Sequence, residues 1–144
     1  MTPSAGLRAA ALLAAMMTAA LPRQVQCAEP ACLPYEQPSE IEGRLRLAVL
    51  PGPPHYRSFE EGDQPEQVWL LSPTIPACTQ AVDGDLWNVA LQDITTIRAV
   101  PRAPFDLNWN GRRVRVAGSF FRPHGAHARA ALAVRATQVT PLAD

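Results

Sequence analysis

Three histidines are the side chains of this sequence best suited to binding a metal ion. His124 and His127 lie three residues apart in a turn-forming stretch, and His55 lies in a proline-rich segment nearer the N-terminus. Neutral imidazole is a good ligand for Zn or Cu, but a metal site needs three or four ligands. Metal binding therefore requires His55 to fold against the turn, with Asp63 or Glu66 completing the site. Otherwise the histidines are simply solvated.

A group of arginines forms a second candidate site, for an anionic partner: Arg112, Arg113, Arg115 and Arg122. A carboxylate-bearing glycan, a phospholipid headgroup or an acidic protein would suit them. The charges are segregated along the chain, with a net charge of −8 over residues 29–93 and +6 over residues 94–144. Strands from the two halves could therefore pair their charges, with Glu42 and its neighbours opposite the arginines.

The residues argue against nucleic-acid binding and against catalysis. The chain has no lysine, its formal net charge is zero, and its arginines are not interleaved with aromatic residues that would stack on bases. Ser58 and Ser119 lack the G-x-S-x-G context of a nucleophile. Glu60, Glu61 and Asp63 are typical of a solvated polar loop. We therefore expect a protein that is not an enzyme and has no nucleic-acid partner.

The N-terminus has the pattern of a secretory signal peptide. Arg8 precedes an uncharged apolar run over residues 9–21, which is shorter than the roughly 20 residues that span a bilayer. Small residues near Cys27 are consistent with cleavage there. We predict a signal peptide over residues 1–28 and one periplasmic or secreted domain over residues 29–144, which meets the membrane only during export. A short buried N-terminal helix is the alternative.

Two cysteines remain after the predicted cleavage, Cys32 and Cys78. In an oxidising compartment, a lone pair of this kind most simply forms a disulfide. It would stabilise the fold by about 4 kcal/mol in the chain-entropy model, since the loop it closes is long. A metal site built on the pair would need two more ligands, and none lies at a usable spacing.

Alternation of apolar and polar residues predicts five strands. The clearest lies within residues 111–121, where Val114, Val116, Gly118 and Phe120 share one face and the glycine suggests a bulge or a sharp bend. The other strands are predicted at residues 41–49, 67–71, 86–94 and 132–136.

The connections between the predicted strands limit the helix content. Pro101 and Pro104 restrict helix between the third and fourth strands to one turn, at residues 105–110. The long connection over residues 51–66 carries Tyr56 and Phe59, which would either plug a barrel end or contact a ligand.

These elements predict an all-β fold, a small five-stranded OB-like Greek-key barrel with at most one short helical turn and one disulfide. A simple meander or a half-sandwich is the alternative. The expected function is that of a non-catalytic binding or structural module of the cell envelope, with an unknown envelope ligand or protein as partner and no cofactor. A metal-binding envelope protein is the alternative.

Several short motifs, taken in order, resemble a family of small exported bacterial proteins catalogued only as a domain of unknown function (DUF4431). They are Ala31-Cys32-Leu33-Pro34-Tyr35-Glu36, Pro51-Gly52-Pro53-Pro54-His55-Tyr56, Gly62-Asp63, Pro65-Glu66, Trp69-Leu70-Leu71, Pro76-Ala77-Cys78, and residues 111–121 with His124 and His127. The resemblance covers nearly the whole chain after the signal peptide, and its specificity lies in the order of the motifs. It implies an exported, cysteine-paired β domain without an established activity.

The chain departs from that family in the turn that follows the fourth strand. The family's turn has the form His-Thr-Gly-His-His-His-Thr, of which only His124 and His127 remain here. Gly125 replaces a threonine, and Ala128, Arg129 and Ala130 stand where two histidines and a threonine would be. If the full cluster binds a metal or an anion, this chain has weakened or lost that property.

Overall fold

The fold is a closed barrel of five strands in a computed structural model that describes residues 32–143. The strands are β1 (Pro38–Pro51), β2 (Pro65–Pro73), β3 (Ile97–Pro101), β4 (Arg113–Phe121) and β5 (Leu132–Pro141). Their order around the barrel is β1-β2-β3-β5-β4, and every neighbouring pair is antiparallel except β3 and β5, which are parallel. The predicted OB-like all-β barrel is confirmed. The predicted signal peptide lies outside the described residues.

The alternation read from the sequence corresponds to the two faces of the barrel wall. Val114, Val116 and Phe120 are fully buried and Gly118 is buried on the same face, while Arg115, Ala117 and Ser119 are partly or fully exposed. They pack in one core with Leu45 of β1 and Leu71 of β2. Burial of aliphatic and aromatic side chains of this size contributes roughly 1.5–3 kcal/mol each, which makes this core the main source of stability.

Two glycines allow strands to approach closely where the barrel bends. A Cβ atom on Gly43 in β1 would collide with the carbonyl oxygen of Ser72 in β2, and one on Gly118 in β4 would collide with that of Arg135 in β5. The register between β4 and β5 shifts at Gly118 and leaves Thr137 of β5 as the extra residue. The irregularity predicted at Gly118 is therefore confirmed as a β-bulge.

The prediction of a third strand at residues 86–94 is wrong. The strand is β3, at Ile97–Pro101, and Ile94 makes only an isolated bridge with Ala77. In residues 86–94, side chains hydrogen-bond to backbone groups that would pair with a neighbouring strand if the segment were part of a sheet. Asp85 accepts the N–H groups of Trp87 and Asn88, at 2.8 and 3.1 Å. Because these local bonds satisfy the backbone, the apolar alternation does not form a strand.

Side chains also satisfy the backbone of the same segment further along. The Thr79 hydroxyl accepts the N–H of Leu91 at 2.9 Å, and the Tyr35 hydroxyl donates to the carbonyl of Val89 at 2.8 Å. Tyr35 and Thr79 are themselves hydrogen-bonded and buried. The connection between β2 and β3 is therefore held to the N-terminal lead-in.

Helical structure is limited to short turns. Within residues 32–143 there is no α-helix, and 3₁₀ turns of three residues lie at Phe59–Glu61, Leu107–Trp109 and Gly125–His127. The second lies where a helical turn was expected, and the Asp106 side chain caps it by accepting the N–H of Asn108 at 2.9 Å. No helix in this part of the chain is both long and apolar enough to cross a membrane.

The predicted disulfide is present between Cys32 and Cys78, whose Cα atoms are 4.6 Å apart. The bond joins the lead-in before β1 to the segment that follows β2. Backbone hydrogen bonds continue the link, from the N–H of Leu33 to the carbonyl of Cys78 at 2.8 Å and from that of Gln80 to the carbonyl of Leu33 at 3.0 Å.

We expect loss of the disulfide to lower the free energy of unfolding by about 4 kcal/mol, because 46 positions separate the two cysteines and the cross-link restricts a long loop of the unfolded chain. Urea unfolding with and without a reductant measures the effect. The control is the variant Cys32→Ser with Cys78→Ser, whose stability must not respond to the reductant. A wild-type loss below about 1 kcal/mol would contradict the expectation.

Candidate functional site

The connection between β1 and β2 is organised around the carboxylate of Asp63. This carboxylate is buried and accepts the backbone N–H groups of His55, Arg57 and Ser58, at 2.8, 2.7 and 3.0 Å. Burial alone would raise the pKa of Asp63, but the three N–H donors and the nearby imidazole of His55 outweigh it and lower the pKa to about 2. Asp63 therefore holds the loop together, and its oxygens are already occupied by donors.

The three histidines lie apart, each with its own neighbour. His55 Nδ1 lies 3.3 Å from an oxygen of Asp63. His127 packs edge-on against Tyr56, with ring centroids 4.8 Å apart, and His124 stacks on Trp87 at 4.1 Å. Within the described part of the chain, no group of three or more His, Cys, Asp or Glu side chains could hold a metal ion. The structure does not bring His55, His124 and His127 together as the metal alternative requires.

Two clasps hold the connection between β4 and β5 against the barrel. In the first, Arg129 is only 8% exposed, binds Glu66 at 2.6 Å and the carbonyl of Pro51, and lies 5.1 Å from the ring centre of Tyr56. Arg98 also reaches Glu66, at 3.6 Å. Arg129 was absent from the predicted sites, and only its place in the histidine-depleted turn singled it out in the sequence.

The second clasp involves Arg122, one of the predicted anion-binding residues. Its guanidinium lies 4.5 Å from the ring centre of Trp87 and donates to the carbonyl of that residue. The indole N–H of Trp87 donates in return to the carbonyl of Arg122 at 3.3 Å. With His124 stacked on the indole, Trp87 fixes the β2–β3 connection to the β4–β5 connection.

The other predicted arginines also have partners. Arg115 binds Glu42 at 2.6 Å, and Arg113 lies 3.4 Å from the same carboxylate. The hydrogen bond from Arg115 lowers the pKa of Glu42, the charges of both arginines add to this effect, and the pair raises the pKa of Arg115. Arg112 is exposed but not free of partners. The geometry supports ion pairs between β1 and β4 rather than a free anion-binding face.

A different concave surface surrounds the chain as it leaves β3. Three grooves meet at residues 101–105, which we call the β3 exit grooves. One of about 370 Å³ lies beside the second half of β5, one of about 390 Å³ lies between β2 and β3, and one of about 350 Å³ lies against the outer side of β5. Arg102 lines the first and third, and Phe105 lines the first and second.

The groove between β2 and β3 exists because these strands separate early. They pair only from Trp69 to Leu71, although β2 begins at Pro65 and β3 continues to Pro101. Pro101 has no N–H group to continue the ladder. The ring of Phe105 packs beside the opening, 5.6 Å from that of Trp69 and 5.7 Å from that of Trp109.

The sequence interpretation did not identify these grooves. Their aromatic rings come from β2, from the connection after β3 and from a 3₁₀ turn, so no single stretch shows them together. The available signal was the segment Pro101-Arg102-Ala103-Pro104-Phe105, where two prolines hold an arginine and an aromatic residue outside regular structure.

Comparisons with protein-family models, with curated proteins and with solved structures find no match to this chain. The resemblance drawn from the ordered motifs remains a prediction.

The pKa of Asp63 makes the β1–β2 connection sensitive to acid. Because the folded pKa of about 2 lies below that of an unfolded aspartate, about 3.9, the stabilisation is complete above the unfolded value and is lost as the pH falls towards 2. We expect the NMR amide signals of His55 and Ser58 to move in this window. A carboxyl titrating near its ordinary value would contradict the account.

The matched variant is Asp63→Asn, which removes the titration and one acceptor oxygen at the same time. Its amide NH₂ group replaces one of the two oxygens and faces at least one of the N–H groups that this oxygen accepts. We therefore expect a lower Tm at neutral pH and amide signals that no longer depend on pH between about 4 and 2. A variant that keeps the wild-type pH dependence would show that another group controls the loop.

Charge reversal distinguishes pairing between strands from a free binding surface. We expect Arg115→Glu to lower the Tm, because it places two carboxylates opposite each other on β1 and β4. Adding Glu42→Arg restores the opposite charges and recovers part of the loss. The control is Arg46→Glu, the same charge change at an exposed arginine of β1 with no ion pair among residues 32–143. Equal effects of Arg115→Glu and the control would refute a specific pair.

Proposed function

We propose that this protein is an exported, non-catalytic binding module of the cell envelope that holds its ligand in the β3 exit grooves. The observation that carries the proposal is the meeting of these grooves around an exposed arginine, Arg102, and a partly buried ring, Phe105. Binding sites typically combine apolar and aromatic walls with a few polar groups.

The position of the grooves on the barrel supports the same proposal. Barrels of the OB type bind oligomeric ligands on the surface of their second and third strands, together with the β1–β2 and β4–β5 connections. One of the grooves lies on this surface and is lined by Trp69 of β2 and Ala99 of β3. This support is an analogy between folds, since the same barrel carries many functions.

Export is supported by the disulfide. A bond between Cys32 and Cys78 persists in the periplasm or outside the cell, whereas cytosolic thiols are kept reduced. The sequence pattern of residues 1–28 points in the same direction. Mass spectrometry of the periplasmic protein should show the loss of about 28 residues and of two hydrogens. A full-length reduced chain in the cytosol would contradict the export part of the proposal.

A non-catalytic role is supported by the residues that could otherwise react. The hydroxyl of Ser58 accepts the N–H of Glu60 at 3.1 Å and caps a 3₁₀ turn. The carboxylate of Asp63 is saturated by three N–H donors and a histidine. The metal alternative has no observation in its favour, because the histidines pack separately against aromatic rings and a carboxylate.

The proposal predicts saturable binding at the β3 exit grooves. We would titrate the ¹⁵N-labelled, disulfide-bonded protein with three probes that represent three classes of anionic partner: galacturonic acid oligomers, phosphatidylglycerol bicelles and an Asp-Glu peptide. At least one should shift the amide signals of Arg102, Phe105 and Thr137. Saturable shifts confined to the face of Arg113 and Arg115, or no shifts with any probe, would overturn the assignment of the site.

A further inference from the structure

We propose that the ligand of the β3 exit grooves is an acidic polysaccharide, a chain of sugar rings that carry carboxylates. This inference rests on the proposed binding function and names its ligand class. Three properties of the grooves point to such a ligand: one positive charge without an ion pair, partly exposed aromatic rings, and neutral polar side chains.

The charge comes from one arginine. Of the three arginines that line the grooves, Arg98 lies 3.6 Å from Glu66, and Arg135 binds Glu36 at 2.7 Å. Arg102 is exposed and makes no ion pair with a carboxylate of residues 32–143. The grooves therefore present one uncompensated guanidinium, a planar group whose paired N–H donors match the two oxygens of a carboxylate.

The position of Arg102 is fixed by its backbone. Its N–H donates to the carbonyl of Ala136 in β5 at 3.3 Å, beside the bulge residue Thr137. The hydroxyl of Thr137 donates to the carbonyl of Ala117 at 3.1 Å, so this part of β5 is held on both sides. A guanidinium on a fixed backbone loses less conformational entropy when it binds an anion.

Sugar rings suit the remainder of the surface. Phe105 and Trp109 are half-buried and offer apolar area, against which the apolar face of a sugar can pack. Thr137 and Gln138 line the same groove; Gln138 carries donors and an acceptor for ring hydroxyl groups, and the Thr137 hydroxyl, whose proton goes to the carbonyl of Ala117, keeps its acceptor lone pairs. Neutral hydrogen bonds alternating with apolar contact are what a polyhydroxylated ring requires.

The arrangement of the grooves fits a polymer. They share residues at the exit of β3, so a ligand in one continues into the next: Arg102 lines two of them, and Phe105 also lines two. An extended chain of rings follows such a path, whereas a small molecule is usually enclosed in one pocket that buries most of its surface.

Polyanions of high charge density fit less well. Nucleic acids gain their affinity from several phosphate contacts with Lys and Arg, and anionic membranes attract clusters of four to eight basic residues. One arginine without an ion pair in the grooves, on a chain of zero formal net charge, supplies neither. A polysaccharide with a carboxylate on each ring needs only one such contact, since the other rings bind through hydroxyls and apolar faces.

Isothermal titration calorimetry with galacturonic acid oligomers tests the inference on the disulfide-bonded protein. We expect saturable binding that is weakened about tenfold or more by Arg102→Gln, because a charge-assisted hydrogen bond becomes a neutral one. The fully methyl-esterified oligomers, which lack the carboxylates, should bind the wild type and Arg102→Gln with equal, weaker affinity. The matched control is Arg57→Gln, which removes the same charge from an exposed residue outside the grooves.

The outcomes separate this inference from the proposed function. Absence of galacturonate binding, while the peptide or lipid probe shifts the groove signals, overturns the ligand class but leaves the binding module intact. An equal loss of affinity in Arg57→Gln and Arg102→Gln overturns the site. Tighter binding of an oligothymidine or of phosphatidylglycerol vesicles than of the galacturonate oligomers also overturns the inference, whereas ring-dependent binding that is sensitive to Arg102 supports it.

Discussion

The close approach of β4 and β5 at Gly118 is the constraint on which the rest of the structure depends. A side chain at this position would collide with the carbonyl of Arg135, so only glycine lets the two strands close the barrel here. The register shift at this point leaves Thr137 without a partner between Gln138 and Ala136. Bulges typically bend a strand and redirect a side chain, and this one places Thr137 in the wall of two of the β3 exit grooves. The β-bulge at Gly118 and Thr137 therefore both closes the barrel and shapes the candidate site.

The strand order of the barrel explains why the predicted arginine face is not free. The acidic half of the sequence contains β1 and β2, the basic half contains β4 and β5, and the Greek-key order places β1 beside β4. The pair of Glu42 with Arg115 follows from that order, and the pair of Glu66 with Arg129 joins the two halves where the β4–β5 connection meets the start of β2. Charge that is segregated along the chain is thus largely neutralised in space. Arg102 makes no ion pair with a carboxylate of residues 32–143, because it lies beyond the end of β3, where no acidic strand faces it.

Predictions from the sequence succeeded where one physical effect decides the local structure. Alternation of Val114, Val116 and Phe120 fixed a strand, because one face of a barrel wall must be buried. The disulfide followed from the number of cysteines and from the predicted oxidising compartment. The third strand was wrong because residues 86–94 alternate in the same way, yet the side chains of Asp85 and Thr79 satisfy the backbone locally. Periodicity does not show whether a backbone group will bond to a neighbouring strand or to a nearby side chain. The grooves could not be predicted because their aromatic rings come from three separate elements and meet only in the folded chain.

The two clasps hold the β4–β5 connection against the barrel, whereas no such contact covers the described segment that follows β3. Arg129 with Glu66 ties the β4–β5 connection to the start of β2, and Trp87 with Arg122 ties it to the β2–β3 connection. His124 and His127 then serve as rings that pack against Trp87 and Tyr56. A connection held at two points has few conformations left to adapt to a partner. The segment after β3 is different, because two prolines stiffen it without covering it, so its arginine and its ring stay accessible in a fixed position. A rigid, uncovered segment between three grooves meets the requirement for preorganised recognition better than the histidine turn does.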